Sequence, residues 1–289
     1  MTLSNFKTYT LSMRGNQIEI SHPWIMGILN VTPDSFFAGS RASTDADIET
    51  RVTQLIAEGA DIIDIGACST RPGAEIVPEH EEIARLRQAV AIVRRLLPDT
   101  YISIDTCSAL VAQVAIEEMG ADIINDVSGG TIDLAMPATV ARLGVPAVVM
   151  HMRGVPATMQ QFTQYDNVVK DVVEELRQHL DTWRQAGATQ LISDPGFGFS
   201  KTITQNYELM AHLDAFHALD VPLLVGISRK SMIYKSLGCS PDEALNGTTV
   251  LNTVALLAGA HILRVHDVKA AVEARKLVSL LNSKPTQQS

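Results

Sequence analysis

Short aliphatic runs alternate with longer amphipathic stretches along almost the whole chain. The runs at 24–31, 61–66, 101–105, 123–126, 147–151, 191–194, 223–227 and 262–266 predict eight strands. They are nearly continuous in Ile, Val, Leu and Ala rather than alternating, as strands buried on both faces must be. Between them, 45–58, 79–96, 109–119, 167–186 and 241–258 space their apolar residues near 3.6 and predict helices. Gly59-Ala60-Asp61 and Gly120-Ala121-Asp122 each stand between a helix and a strand, and Gly259-Ala260-His261 repeats the theme. Glycine past the last helical turn is a C-cap signal, and a strand at once after it is a compact αβ loop. Eight β→α steps in order predict an α/β fold of the (β/α)₈ TIM-barrel type.

Residues 7–23 break the pattern: two short strands flank Gly15-Asn16, which predicts a β-hairpin packed on the barrel's N-terminal end. The expected organisation is a single domain over 1–289. It comprises the hairpin (7–23), a barrel over about 24–282 and a frayed polar tail at 283–289.

Composition narrows the function classes. With 289 residues, 46% hydrophobic and only 5% aromatic, the chain suits one barrel with an aliphatic core. A formal net charge of -9 disfavours nucleic acid as a partner. The same charge requires a local basic cluster to meet any anionic substrate. Cys68, Cys107 and Cys239 are widely spaced with no C-x-x-C pair, which predicts reduced thiols rather than a zinc ribbon. The N-terminus lacks a signal-peptide layout and no apolar run approaches a membrane span, so a soluble cytoplasmic protein is expected. There is no P-loop, no G-x-G-x-x-G and no H-E-x-x-H.

Polar residues terminate nearly every predicted strand: Asn30, Asp64, Asp105, Asn125, His151, Asp194, Ser228 with Arg229 and Lys230, then Arg264 and His266. Strand ends of a (β/α)₈ barrel converge on the face where its active sites lie. One Asp or Asn there is readily a helix N-cap, but Arg, Lys and His are poor caps. Arg264 and His266 are two apart and share one side of their strand, as do Ser103 and Asp105. Ionised Asp105 and Asp194 only accept hydrogen bonds, Asn125 does both and Lys230 only donates. Such a set suits an aminopyrimidinone edge, while Arg71, Arg264 and His266 suit a polyanionic leaving group. Spacing alone does not name the ligand.

The chain resembles the dihydropteroate synthase family over about 24–268. The resemblance is carried in order by Met26-Gly-Ile-Leu-Asn-Val-Thr-Pro-Asp-Ser-Phe36, Asp64-Ile-Gly-Ala-Cys-Ser-Thr-Arg-Pro-Gly73 and Ser103-Ile-Asp-Thr106. It continues through Ile124-Asn-Asp-Val-Ser-Gly129, His151-Met-Arg-Gly154, Asp194-Pro-Gly-Phe-Gly-Phe199, Ser228-Arg-Lys230 and Arg264-Val-His-Asp267. It implies condensation of 6-hydroxymethyl-7,8-dihydropterin pyrophosphate with p-aminobenzoate, giving dihydropteroate and pyrophosphate. By the same resemblance Asp105, Asn125, Met150, Asp194, Gly198, Phe199 and Lys230 bind the pterin. Asn30, Arg71, Arg264 and His266 hold the pyrophosphate, and Asn30 also holds Mg²⁺. Thr70, Arg71, Pro72, Phe199, Lys230 and Ser231 surround p-aminobenzoate. The implied catalytic residues are Asp105, Lys230, Arg71 and Asn30, and the implied assembly is a homodimer through helices late in the chain.

Three segments depart from the family's pattern: Phe37-Ala-Gly-Ser40, Ala67-Cys68 and Ser200. All are expected in loops around the arylamine entrance. Plainer readings attach to other residues. His151 is expected as a satisfied core histidine, Arg153 as a loop anchor and Cys68 as a passive thiol. Asp64 is expected to orient the site through Arg71 or the metal, and Glu79, Glu81 and Glu82 to lie on a solvated helix face. Two alternatives stand beside the synthase: a pterin-dependent corrinoid methyltransferase, which has no pyrophosphate to hold, and a catalytically silent pterin-binding protein.

Overall fold

The computed structural model describes residues 6–32, 44–68 and 77–282. Its order is β1 (Tyr9–Met13), β2 (Asn16–Ile20), β3 (Trp24–Asn30), α1 (Asp45–Ala57), β4 (Ile62–Gly66), α2 (Glu79–Leu96), β5 (Tyr101–Asp105) and α3 (Ala109–Glu117). There follow β6 (Ile123–Asp126), α4 (Met136–Leu143), β7 (Ala147–Met150), α5 (Val168–Gln185), β8 (Leu191–Asp194) and α6 (Ile203–Ala211). The chain ends with β9 (Leu224–Val225), α7 (Ser231–Leu237), α8 (Leu245–Leu257), β10 (Ile262–Val265) and α9 (Val268–Asn282).

Strands β3 to β10 form one parallel sheet in the order β8-β7-β6-β5-β4-β3-β10-β9. A parallel bridge between Ser193 and Leu223 joins its two ends, so the sheet closes into the predicted barrel. Outward-facing Ile63, Ile65, Ile102, Ile104, Val149 and Val265 pack against the helices in the main core. Alternation of strand faces then sends the polar strand ends inward.

The hairpin covers the bottom of the barrel. Leu11, Met13 and Ile20 pack on Met26, Ile62, Ile123, Val148, Ile192, Leu224 and Ile262, an apolar layer contributed by seven strands. The turn is shifted by one residue from the expected Gly15-Asn16. Met13 pairs with Asn16, and Arg14 and Gly15 carry φ of 50° and 74°. Two positive φ values are what a two-residue turn of the favoured hand needs. Arg14 tolerates the left-handed backbone because Asp122 grips its guanidinium through Nε at 2.6 Å and Nη2 at 2.9 Å.

Two other boundaries move. The strand expected over 223–227 keeps ladder geometry only at Leu224–Val225, because the chain turns toward Arg229, whose φ is 54°. The helix expected over 241–258 is a short 3₁₀ turn, Pro241–Glu243, followed by α8, with Ser240 and Glu243 forming a capping box at the turn.

Candidate active site

The upper end of the barrel opens into a cavity of about 530 Å³. Of the residues singled out in sequence, Asn30, Asp105, Asn125, Met150, Asp194, Gly198, Phe199, Lys230, Ser231, Arg264 and His266 all line it. Thr70, Arg71, Pro72 and the 37–40 segment lie outside the described residues. The cavity is built by register: Asp64 stands opposite Ser103, Asp105 opposite Asn125, and Met150 opposite Asp194. These inward positions sit directly above the apolar layer that meets the hairpin.

An ion triad occupies the floor. Arg264 donates through Nε to Asp64 Oδ2 at 2.6 Å and through Nη2 to Asp105 Oδ2 at 2.7 Å. Asn125 Nδ2 also reaches Asp64 Oδ2, at 3.3 Å. Asp64 is fully buried, and its Oδ1 has no hydrogen-bond partner among the described residues. Among the described residues its partners are Arg264 and Asn125; Arg71, through which it was expected to act, lies outside them. Burial lifts the Asp105 carboxyl to about 7 even though Arg264 opposes it. Burial works against the Arg264 guanidinium too, but Asp64 and Asp105 together hold it above its ordinary value.

A second group lies across the cavity. Asp194 Oδ1 accepts from the Gly196 N–H at 2.8 Å, and burial raises its carboxyl against the pull of Lys230. Lys230 Nζ donates to Phe197 O at 2.6 Å and sits 4.7 Å from the centre of the Phe199 ring. Burial lowers the Lys230 ammonium to about 8, with Asp194 acting the other way. Lys230 is aimed by unusual backbone. Arg229, the residue before it, is left-handed and is held by a bidentate pair with Asp267 at 2.8 and 2.9 Å. Phe199 packs with Val127, Met150, Met152 and Met159, which form an apolar wall.

His266 completes the rim. Its N–H donates to Ser228 Oγ at 3.1 Å, and its ring Nδ1 lies 3.1 Å from the same oxygen. Burial, then Arg264, Arg51, Arg229 and Lys230, depress its imidazole to about 3. Arg51 Nη2 also bonds the His266 carbonyl at 2.6 Å. A neutral imidazole thus sits among Arg264, Arg51, Arg229 and Lys230, a local gathering of cations in a protein of net charge -9.

Several lining residues were not anticipated. Met159 and Gln160 come from the long β7–α5 connection, which has no periodicity to reveal it; Tyr234 and Lys235 come from α7. Glu82, expected on a solvated face, is 5% exposed beside Thr106 and Cys68. Its helix, α2, turns that position inward beneath the end of β4. Burial and Glu82 raise the Cys68 thiol, in the direction that suits the passive role expected of it. Ser200 is fully buried rather than at a loop entrance: its Oγ accepts the Arg153 N–H at 2.9 Å and its carbonyl accepts the Tyr165 hydroxyl at 3.0 Å. Those two bonds hold a non-glycine residue at φ 47°.

Among the described residues no group of three or more His, Cys, Asp or Glu side chains could hold a metal. Magnesium asks for less, commonly one or two protein oxygens plus phosphate and water. A side chain at Gly66 would fill a gap with Asn30 Oδ1 at 3.4 Å and Asp105 Oδ2 at 3.8 Å. Asn30 Oδ1 lies beside this glycine and would offer Mg²⁺ an oxygen, whereas Asp105 Oδ2 is held by Arg264.

A closed parallel barrel with buried carboxylates, an amide and two cations at its strand ends has the layout of a small-molecule enzyme site. The sequence pattern of the family described as pterin binding enzyme matches residues 26–266, and the chain belongs to that family. It is 43% identical over 271 residues to the dihydropteroate synthase of Escherichia coli (strain K12), covering 93% of this chain and 95% of that one. The Haemophilus influenzae dihydropteroate synthase is 41% identical over 263 residues, covering 90% and 94% of the two chains. Among solved structures, Yersinia pestis dihydropteroate synthase with a sulfonamide drug complex superposes with a TM-score of 0.90 at 38% identity, covering 96% of this chain and all of that one. Xanthomonas albilineans dihydropteroate synthase with 4-aminobenzoic acid gives 0.86 at 37% identity and the same coverage.

Proposed function

We infer that the chain is a transferase that catalyses the dihydropteroate synthase reaction of folate biosynthesis. The dihydropterin pyrophosphate loses its pyrophosphate as the C–O bond at the exocyclic methylene breaks. The p-aminobenzoate nitrogen then forms the new C–N bond and gives up a proton. The observation that carries this reading is the juxtaposition, in one cavity, of the Asp194–Lys230 pair with the Arg264–His266 rim. A corrinoid methyltransferase has no use for the second half.

In this reading Asp194 and Asn125 bind the aminopyrimidine edge, and the Lys230 ammonium donates to the pterin carbonyl. Met150, Gly198 and Phe199 wall the ring. Arg264 and His266 hold the pyrophosphate, together with Arg71 and Asn30. Lys230, Phe199 and Ser231, with Thr70, Arg71 and Pro72, receive p-aminobenzoate. Asp105 faces the methylene, where its negative charge offsets the cation that develops as pyrophosphate leaves. Mg²⁺ held through Asn30 would neutralise charge on the departing pyrophosphate. A water-poor floor, sealed from below by the hairpin layer, limits competition from hydrolysis.

The homodimer belongs to the same reading. Leu245 and Val250 of α8 and Leu277 and Leu281 of α9 are exposed apolar side chains, with Leu277 and Leu281 64% and 65% exposed. They fall in the late helices expected to pair, and sedimentation velocity would read the mass. No helix among the described residues is long and apolar enough to cross a membrane, which is compatible with a cytoplasmic site of action. The function is tested by product analysis: incubation with both substrates and Mg²⁺ yields dihydropteroate, whereas omission of p-aminobenzoate yields none. Pterin binding without product would favour the silent-binder alternative.

A further inference from the structure

The turn that follows β8 carries Gly198 and Phe199 into the cavity, and the Phe199 N–H closes it on the Gly196 carbonyl at 3.1 Å. Gly196, Gly198 and Ser200 have φ of 68°, 84° and 47°, three left-handed residues in five. A side chain at Gly196 would lie 2.0 Å from the His151 carbonyl, so the turn is pressed hard against the end of β7.

Beneath the turn lies a buried polar chain that the proposed chemistry does not use. Glu175, on α5, accepts from Arg153 Nε at 2.9 Å and stands 3.0 Å from His151 Nε2. His151 Nδ1 is 2.9 Å from Lys201 Nζ. A lysine ammonium has no lone pair, so His151 must accept at Nδ1 and carry its proton on Nε2, pointing at Glu175. The two remaining Lys201 hydrogens go to Gly196 O and Phe199 O, each at 3.0 Å. All three donors are therefore committed, two of them to opposite ends of the turn. Lys201 is 3% exposed and His151 fully buried. The charged groups facing the ammonium are Asp194 of β8, Lys230 before α7, Arg153 of the β7–α5 connection and Glu175.

We propose that Lys201 is a positioning residue for pterin recognition: oriented by the Glu175–His151 pair, its ammonium ties Gly196 to Phe199 and sets the wall of the pterin pocket. This rests on the reading that the cavity binds a pterin. Burying an ammonium is costly, and an apolar side chain would leave His151 Nδ1 and the Phe199 carbonyl without their lysine donor and the Gly196 carbonyl with the Phe199 N–H alone. The arrangement is matched from above, where Lys230 holds Phe197 O of the same turn. Two lysines thus pin one turn, both of them at the cavity wall.

The test is Lys201→Met, of similar length but without donors, titrated separately with 6-hydroxymethylpterin and with inorganic pyrophosphate. Losing charge-assisted bonds to the turn weakens pterin binding about tenfold or more. Pyrophosphate binding, which depends on Arg264 and His266, stays unchanged, and amide exchange over residues 195–201 accelerates. A purely structural role would not separate the two ligands; equal losses for both, or unchanged pterin affinity, would overturn the proposal. Glu175→Gln is the second variant, expected to shift pterin affinity in the same direction by less, and it decides the matter if Lys201→Met does not fold. Wild-type protein that fails to bind 6-hydroxymethylpterin would overturn the functional reading instead, and the exchange rates would still decide whether Lys201 holds the turn.

Discussion

Arg264 and Asp105 meet at 2.7 Å on the floor of the cavity, and the same guanidinium holds Asp64 at 2.6 Å. One cation therefore stabilises two carboxylates on neighbouring strands, one of them fully buried. Removing it leaves Asp64 and Asp105 facing each other without a counter-ion, and Asp64 already acts to raise the Asp105 carboxyl. Arg264→Met is expected to lower stability by about 3–5 kcal/mol, the usual cost of breaking a buried pair from one side. Urea denaturation of variant and parent measures it, and a loss near zero would mean that the triad is not formed in solution.

Charge at the pocket also sets a pH window for pterin binding in the absence of metal. Asp105 stands at about 7 and Lys230 at about 8. Affinity for 6-hydroxymethylpterin should rise as pH climbs through the lower value, because ionised Asp105 accepts from the hydroxymethyl group, and fall above the higher one, as the Lys230 amine loses a donated hydrogen. Lys230→Met should abolish the alkaline limb and keep the acid one. Fluorescence titration across the range reads both limbs, and an alkaline limb that survives in the variant would assign it to another group.

Turnover depends on Lys230 more than folding does. Its side chain contacts one loop carbonyl and one ring, whereas the barrel core lies elsewhere. Lys230→Ala is expected to reduce kcat/KM by about a hundredfold or more, equivalent to about 3 kcal/mol of transition-state binding. Arg71→Ala should be similarly damaging. Circular dichroism should show both variants folded, and near-normal activity in either would undo the site assignment.

Below the barrel, His261 joins the hairpin to the strands. Its Nδ1 accepts from Leu223 N–H at 3.1 Å and its Nε2 is 2.9 Å from the Lys7 carbonyl. Burial depresses this imidazole to about 4, and depresses His151 to about 3. The unfolded chain takes up these protons near 6.5, so between there and the folded values it binds more protons than the native state. Stability is thus full above about 6.5 and is lost as pH falls toward 4. Denaturation midpoints at neutral and acid pH should differ, and His261→Gln should narrow that difference. Equal slopes for parent and variant would remove His261 from the account.

Much of this fold could be read from period and punctuation. The strands at 101–105, 123–126 and 191–194 have their predicted limits, since polar residues end each run sharply. The strand at 223–227 did not, because pairing after Val225 depends on the left-handed Arg229, and a basic residue gives no local sign of that conformation. The site shows the same division. Asp105, Asn125, Asp194, Lys230, Arg264 and His266 are findable at strand ends by type and parity. Lys201, Met159 and Gln160 are not, as their approach to the cavity depends on how the β7 and β8 loops fold over one another. Glu82 misled for a related reason: an acidic run at a helix start reads as solvated, and only tertiary packing turns one member inward.

The central claim is that the Asp194–Lys230 pair and the Arg264–His266 rim serve one condensation. The most direct measurement is pyrophosphate release from dihydropterin pyrophosphate, with p-aminobenzoate and Mg²⁺ each omitted in turn. The account predicts release that requires p-aminobenzoate and matches dihydropteroate formed, mole for mole. Tight binding of the pterin substrate with no release in the complete mixture would contradict it.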